Sequence, residues 1–156
     1  MLDRPALTIR AAVEGDLDGV LALYAQPEID DGNVLPRNAA AAVFRRFAQY
    51  PDYTLYVADR DGAIVGSLAL LVMDNLGHLG ARSAIVEDVV VHPALHGQGI
   101  GQEMMRFAMA RAREKGCYKL TLSSDGKRLR AHAFYDALGF ERHGLSFRIG
   151  LAGECA

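Results

Sequence analysis

The chain holds only two cysteines, Cys117 and Cys155, far apart and one of them within the last two residues. That excludes a disulfide framework and a cysteine-based metal knuckle, so both are read as free thiols and no metal site is expected. No apolar run reaches the ~18 residues that a membrane span needs. The first ten residues have neither an apolar stretch nor a cleavage site, which makes the cytoplasm the default compartment. Basic blocks are missing too: 17 Lys and Arg stand against 19 Asp and Glu, a net charge of −2, and nucleic acid is not the expected partner. There is no internal repeat and no low-complexity linker. What 156 residues do supply, at 51% hydrophobic and 23% charged, is enough apolar surface to bury the core of one domain, taken as 1–156.

That core is organised around one stretch. Ala84 to Val91 is rich in Ile and Val, His92-Pro93 breaks it, and Gly97, Gly99 and Gly101 follow at every second position before an apolar-periodic segment that runs to Lys115. The pattern reads as a buried strand, a tight loop and a helix. Glycines without Cβ let the loop backbone lie against a ligand. The first amides of the helix have no internal acceptors, and the helix dipole leaves about half a positive charge beside them. Together these favour a phosphate or diphosphate.

Two familiar phosphate loops fail on counting. A dinucleotide fingerprint starting at Gly97 needs glycine at 102, where Gln102 stands. The Walker pattern needs glycine five residues before Gly126-Lys127, where Thr121 stands.

Elsewhere the periodicities alternate. Thr8–Ala12 reads as a strand, and Asp16 as the cap of a helix carrying Leu17, Val20, Leu21 and Tyr24, ended by Pro27. Glu28 to Asn33 is acidic and irregular, either a solvated loop or a substrate-facing one. Asn38 is read as the cap of a second helix with Ala40, Val43, Phe44 and Phe47 on one face. Tyr53–Ala58 and Ala63–Met73 form a hairpin about Asp59 to Gly62. Ile100, Met104, Phe107, Ala108 and Ala112 make the buried face of the third helix, closed by Lys115-Gly116. Cys117–Ser123 is a strand. A helix from about Lys127 puts Ala131, Phe134 and Leu138 on its core side and ends at Gly139-Phe140. Phe147, Ile149 and Leu151 make a last strand. Hairpins plus one crossover give an α+β domain with a mixed, mainly antiparallel sheet flanked by about four helices.

Candidate chemistry sits at three residues. Adjacent strand residues face opposite ways, so Glu87 and Asp88 share a pocket only where a bulge intervenes. Of the two, Glu87 is preferred as the group that accepts a proton. Tyr135 stands at the rim of its helix's core face, either a half-buried tyrosine or a phenol that gives up its proton.

His96-Gly97-Gln98-Gly99-Ile100-Gly101 after a Val-rich strand resembles motif A of the GCN5-related N-acetyltransferases (GNAT), with His96 where that family has Arg or Gln. Ala131-x-x-Phe134-Tyr135-x-x-x-Gly139-Phe140 is similar to a second stretch of the same family. The resemblance covers about 84–151. It implies a single GNAT-like domain that binds acetyl-CoA and passes acetyl directly to an amine. It implies that Val89, Val90 and Val91 present backbone groups to the pantetheine arm, Val89 N–H serving as oxyanion donor. Gly97, Gln98, Gly99, Ile100, Gly101 and Gln102, with His96, then hold the diphosphate. Arg128, where the family often has Asn, is carried over as a cofactor contact, and Tyr135 is the general acid toward the coenzyme A sulfur. A homodimer is implied as well.

The acceptor implied is a small primary amine. Ile85 to Val89 with Gly116 to Leu120 looks like the glucosamine-phosphate N-acetyltransferases. Lys127-Arg128 with the Phe134-Tyr135 stretch and Ser146 to Arg148 looks like the aminoalkylphosphonate acetyltransferases. Arg82, Lys127, Arg128, Arg142 and Arg148 either serve such an anion or are scattered surface charge. Acetylation of protein lysines or N-termini, and a non-catalytic acyl-CoA-binding module, are the alternatives.

Overall fold

A computed structural model describes residues 5–152, and its contacts fall into two units, divided between Leu122 and Ser123. The first unit contains β1 (Leu7–Ala11), α1 (Leu17–Tyr24), α2 (Arg37–Arg46), β2 (Tyr53–Arg60), β3 (Ala63–Met73), β4 (Arg82–Val91), α3 (Ile100–Glu114) and β5 (Cys117–Thr121). Its sheet has the order β1-β2-β3-β4-β5. Every neighbouring pair is antiparallel except β4 with β5. The mixed, mainly antiparallel α+β sheet expected from the sequence is therefore present.

The local causes are visible. Asp61 and Gly62 both have positive φ, 52° and 86°, the two-residue turn whose twist suits an antiparallel hairpin. The parallel pair needs a crossover, and α3 supplies it.

Strand alternation assigns the two faces of the sheet. Leu55 and Val57 join Leu17, Val20, Ala41 and Ala69 in one buried cluster. Tyr56 and Ala58 point the other way, Tyr56 packing edge-on against Phe107 of α3 at 5.0 Å. Gly66 of β3 permits the close approach of α3: a Cβ there would sit 2.5 Å from Met104 Sδ. The fit holds the start of α3 at the end of β4.

Two expected caps are corrected. Asp16 occupies the cap position of α1, but its side chain makes no cap bond to that helix. Its carboxylate is spent on Arg10, at 2.7 and 2.9 Å, and on the Val13 N–H. Asn38 lies inside α2, which begins at Arg37 with Pro36 at the cap.

The second unit, from Ser123, contains α4 (Leu129–Ala137). None of its residues is fully buried, so the core side expected for Ala131 and Phe134 is not a buried one. The last strand expected at Phe147 to Leu151 does not form. Leu145, Phe147, Ile149 and Leu151 are 81–88% exposed. A strand needs a hydrogen-bonded neighbour as well as alternation, and this segment has none among the described residues.

Gly139-Phe140 closes α4 as expected. Gly139 is left-handed (φ 90°), its N–H bonds Asp136 O, and Phe140 N–H bonds Tyr135 O, the double closure of a Schellman motif. Among the described residues no helix is long and apolar enough to cross a membrane, and no three His, Cys, Asp or Glu gather as for a metal. Cys117 is a free thiol, and Cys155 lies outside the described residues.

Candidate active site

The two carboxylates of β4 turn on one irregularity. Ser67 pairs with Val90 and Ala69 with Glu87, so Leu68 faces both Asp88 and Val89. This is a β-bulge, and Asp88 adopts the left-handed conformation it requires, φ 52°. Such a bulge cancels the alternation that would send neighbouring side chains to opposite faces. Glu87 and Asp88 both lie close enough to Tyr53 for their charges to be felt there, and Asp88 is also close to Tyr24 and Asp30.

Solvent reaches both carboxylates, yet nearby atoms displace enough water to raise their pKa values. For Glu87 the cause is burial and then Asp88, for Asp88 burial and then Asp30. Tyr24 and Tyr53 are likewise pushed up, by burial first and Asp88 second. Both phenols stay protonated at neutral pH and can donate hydrogen bonds. The result is a pair of carboxylates held by a bulge, faced by phenols, with basicity above the ordinary carboxylate range.

Next to them the sheet opens. β5 pairs with β4 only from Arg82 to Ile85, ending at Thr121, while β4 runs on to Val91. Val86 to Val91 thus have no strand partner on the β5 side among the described residues. The expected backbone slot at Val89, Val90 and Val91 lies in this open stretch. Val91 O is partly spent, since it accepts from Gln26 Nε2 at 3.2 Å and His96 Nε2 at 3.1 Å. His96, though exposed, therefore ties the loop to the end of β4.

Past a 3-10 turn at Pro93–Leu95, the loop reaches α3. Gly97 and Gly99 have φ 78° and 84°, and a Cβ built on either would meet nothing within 4 Å. Glu103 N–H reaches back to Gly99 O at 3.1 Å, but the N–H groups from Gly97 to Gln102 make no hydrogen bond among the described residues. Open space above free amides at the start of a 15-residue helix is a cradle that fits a diphosphate.

Tyr135 belongs to the second unit. Its ring packs edge-on against Phe134 at 5.1 Å and Phe140 at 5.7 Å, the latter being the apolar contact that goes with the glycine closure of α4. Burial raises its pKa, partly offset by Arg128. Of the cations the sequence offered for an anionic substrate, Arg82 is spent on Asp74 at 3.0 Å and Arg142 on Asp136 at 2.8 Å. Lys127, Arg128 and Arg148 make no ion pair among the described residues.

Sequence reasoning missed Tyr24, Tyr53, Asp30 and Gln26 as neighbours of this region. Tyr24 matched the apolar face of α1 and Tyr53 the alternation of β2, so neither stood out. The acidic run 28–33 was the one available signal for Asp30. A concavity between Phe44, Phe47, Tyr53, Thr54 and Leu55 includes none of the residues put forward from the sequence and touches the carboxylate region only through Tyr53.

The family model described as acetyltransferase (GNAT) family matches residues 13–140. A glucosamine 6-phosphate N-acetyltransferase from Trypanosoma brucei brucei is 32% identical over 97% of this chain and 100% of its own length. An aminoalkylphosphonate N-acetyltransferase from Salmonella typhimurium is 30% identical over 94% of this chain and 93% of its own. The crystal structure of a transcriptional regulator from Bacillus halodurans C-125 superposes with a TM-score of 0.86 at 31% identity, over 93% of this chain and 99% of that one.

Proposed function

The chain belongs to the acetyltransferase (GNAT) family and is an acetyl-CoA-dependent N-acetyltransferase of small amines, and from that premise we propose that its acceptor is a primary amine carrying a phosphoryl or phosphonyl group. The names of the two relatives aligned over nearly their whole length support this choice. The observation that carries the assignment of the site is the bulge at Asp88, beside an open β4 edge that leads to free amides at Gly97 to Gln102.

Acetyl-CoA supplies a thioester whose carbonyl the amine attacks. The chain's own groups do the rest. The amides of Gly97 to Gln102 take the diphosphate, His96 braces their loop, Arg128 adds a cofactor contact, and the Val89–Val91 edge aligns the pantetheine arm. Val89 N–H stabilises charge growing on the carbonyl oxygen.

An ordinary alkyl ammonium, pKa about 10.4, loses its proton at pH 7 at a cost on the order of 4 to 5 kcal/mol. Glu87, with Asp88, takes that proton directly or through water, and raised basicity helps both. Tyr135 Oη returns a proton to the departing sulfur. Lys127, Arg128 and Arg148, which make no ion pair among the described residues, are the cations left to meet the phosphoryl end of the acceptor.

The two contact units act as one domain, which the family match across 13–140 supports. They work in a homodimer, supported by the exposed apolar alternation at Leu145 to Leu151, a segment that pairs with no strand among the described residues. Light scattering should return twice the chain mass.

Release of free thiol over an amine panel tests the reading. Turnover of glucosamine 6-phosphate or an aminoalkylphosphonate supports it. Turnover of lysine peptides alone overturns the acceptor, and CoA binding without any turnover overturns catalysis.

Asp88→Asn gives a second check, because asparagine tolerates positive φ and keeps the bulge. A carboxylate whose folded pKa is raised costs stability at pH above that value, and the cost disappears below the unfolded pKa of about 3.9. At pH 7 the variant should melt no lower than wild type while acetyl transfer falls at least several-fold. A lower melting temperature with full activity would contradict both expectations.

A further inference from the structure

The diphosphate cradle presents an electrostatic problem. From Pro93 to Gln102 the chain carries no Lys or Arg, and the ring of His96 is engaged with Val91 O. Neutral amides alone would face a doubly charged group. The cation that touches this loop comes from elsewhere in the fold: Arg60, the last residue of β2, whose Nη1 donates to Gln98 Oε1 at 3.2 Å.

Three features single Arg60 out. It makes no ion pair among the described residues, although Asp59 and Asp61 flank it in sequence. The adjacent Asp59 is engaged by Arg10 at 3.0 Å and by Gly62 N–H. Arg60 Nε is buried with no hydrogen-bond partner among the described residues. A buried guanidinium N–H left unsatisfied costs free energy, and anion binding nearby offsets the cost of holding an uncompensated charge. Arg60 pairs with Leu7 and Ala63 within the sheet, so the arginine is presented from the sheet rather than from the loop.

We propose that Arg60 is the cationic element of the coenzyme A diphosphate site, aimed at the loop by its hydrogen bond to Gln98. The proposal rests on the assignment of the diphosphate to Gly97–Gln102. Its guanidinium keeps donors unspent after bonding Gln98, and a planar fork suits phosphate oxygens better than a point charge does. Gln98 therefore has a part beyond its backbone amide: its side-chain carbonyl orients the cation.

Titration calorimetry with two ligands tests this: coenzyme A, and pantetheine, which has the same arm but no diphosphate. Arg60→Met keeps the aliphatic stem and removes charge and fork. It should weaken coenzyme A about tenfold, leave pantetheine unchanged, and flatten the dependence of affinity on salt. Arg60→Lys should recover only part of the loss. Gln98→Ala, at an exposed position, should weaken coenzyme A by a smaller factor, and combining it with Arg60→Met should add nothing further.

Wild-type coenzyme A affinity and salt dependence in Arg60→Met would overturn the proposal, as would equal losses for the two ligands, which would mark a structural role. Should Arg60→Met melt early, Gln98→Ala decides by the same comparison. Wild-type protein that binds coenzyme A no more tightly than pantetheine would remove the diphosphate site itself, and the proposal with it.

Discussion

Gly99→Glu is expected to leave a folded protein that no longer binds acetyl-CoA. Gly99 is left-handed, φ 84°, at the cap of α3, where a side chain costs about 1–2 kcal/mol. No atom lies within 4 Å of a Cβ built there, so strain is the main penalty to folding, a few degrees of melting temperature per kcal/mol for a chain of this size. Binding suffers far more. A carboxylate about 4 Å from one diphosphate charge is repelled by about 4 kcal/mol at an effective dielectric of 20, close to a thousandfold in affinity. Gly99→Ala separates the two effects, since it has the strain without the charge and should lose less than tenfold. Calorimetry showing normal binding by Gly99→Glu would place the diphosphate elsewhere and undo the reading of the loop.

The stretch that this variant targets was also the most legible in the sequence, because there every signal is local. A run of Ile and Val, a proline and three glycines set strand, loop and helix in one continuous stretch, and the structure places β4 and α3 there, from Arg82 to Glu114. The bulge could not be read in the same way. It depends on a left-handed residue, and the position holds Asp88 rather than the glycine that would announce it. Only the register against β3 reveals that Glu87 and Asp88 share surroundings. The caps failed for a related reason: Asp16 looked available until Arg10, six residues earlier and on another element, claimed its oxygens. At Phe147 to Leu151 alternation was correct as a pattern and silent on partners, so a strand was expected where the segment pairs with no neighbour among the described residues.

Tyr135→Phe is expected to lower kcat by ten-fold or more while acetyl-CoA affinity stays nearly intact. The ring is fixed by contacts that phenylalanine preserves, with Phe134 and Phe140, and by the closure in which Phe140 N–H bonds Tyr135 O. Only the O–H is lost, so stability and cofactor binding have little reason to change. What goes is a proton for the departing thiolate, and general acids of this kind contribute roughly 10²–10⁴-fold. The pKa direction is the right one: burial raises it, so the phenol remains protonated through neutral pH, and the loss of acid form as pH rises falls above the ordinary tyrosine value of about 10. A merely structural tyrosine can be told apart by the leaving group. An acetyl thioester of an acidic aryl thiol departs without protonation, so the deficit of the phenylalanine variant should shrink toward parity with that donor. If kcat with acetyl-CoA were unchanged, Tyr135 would leave the mechanism. If the deficit were equal for both donors, its role would be packing rather than proton transfer.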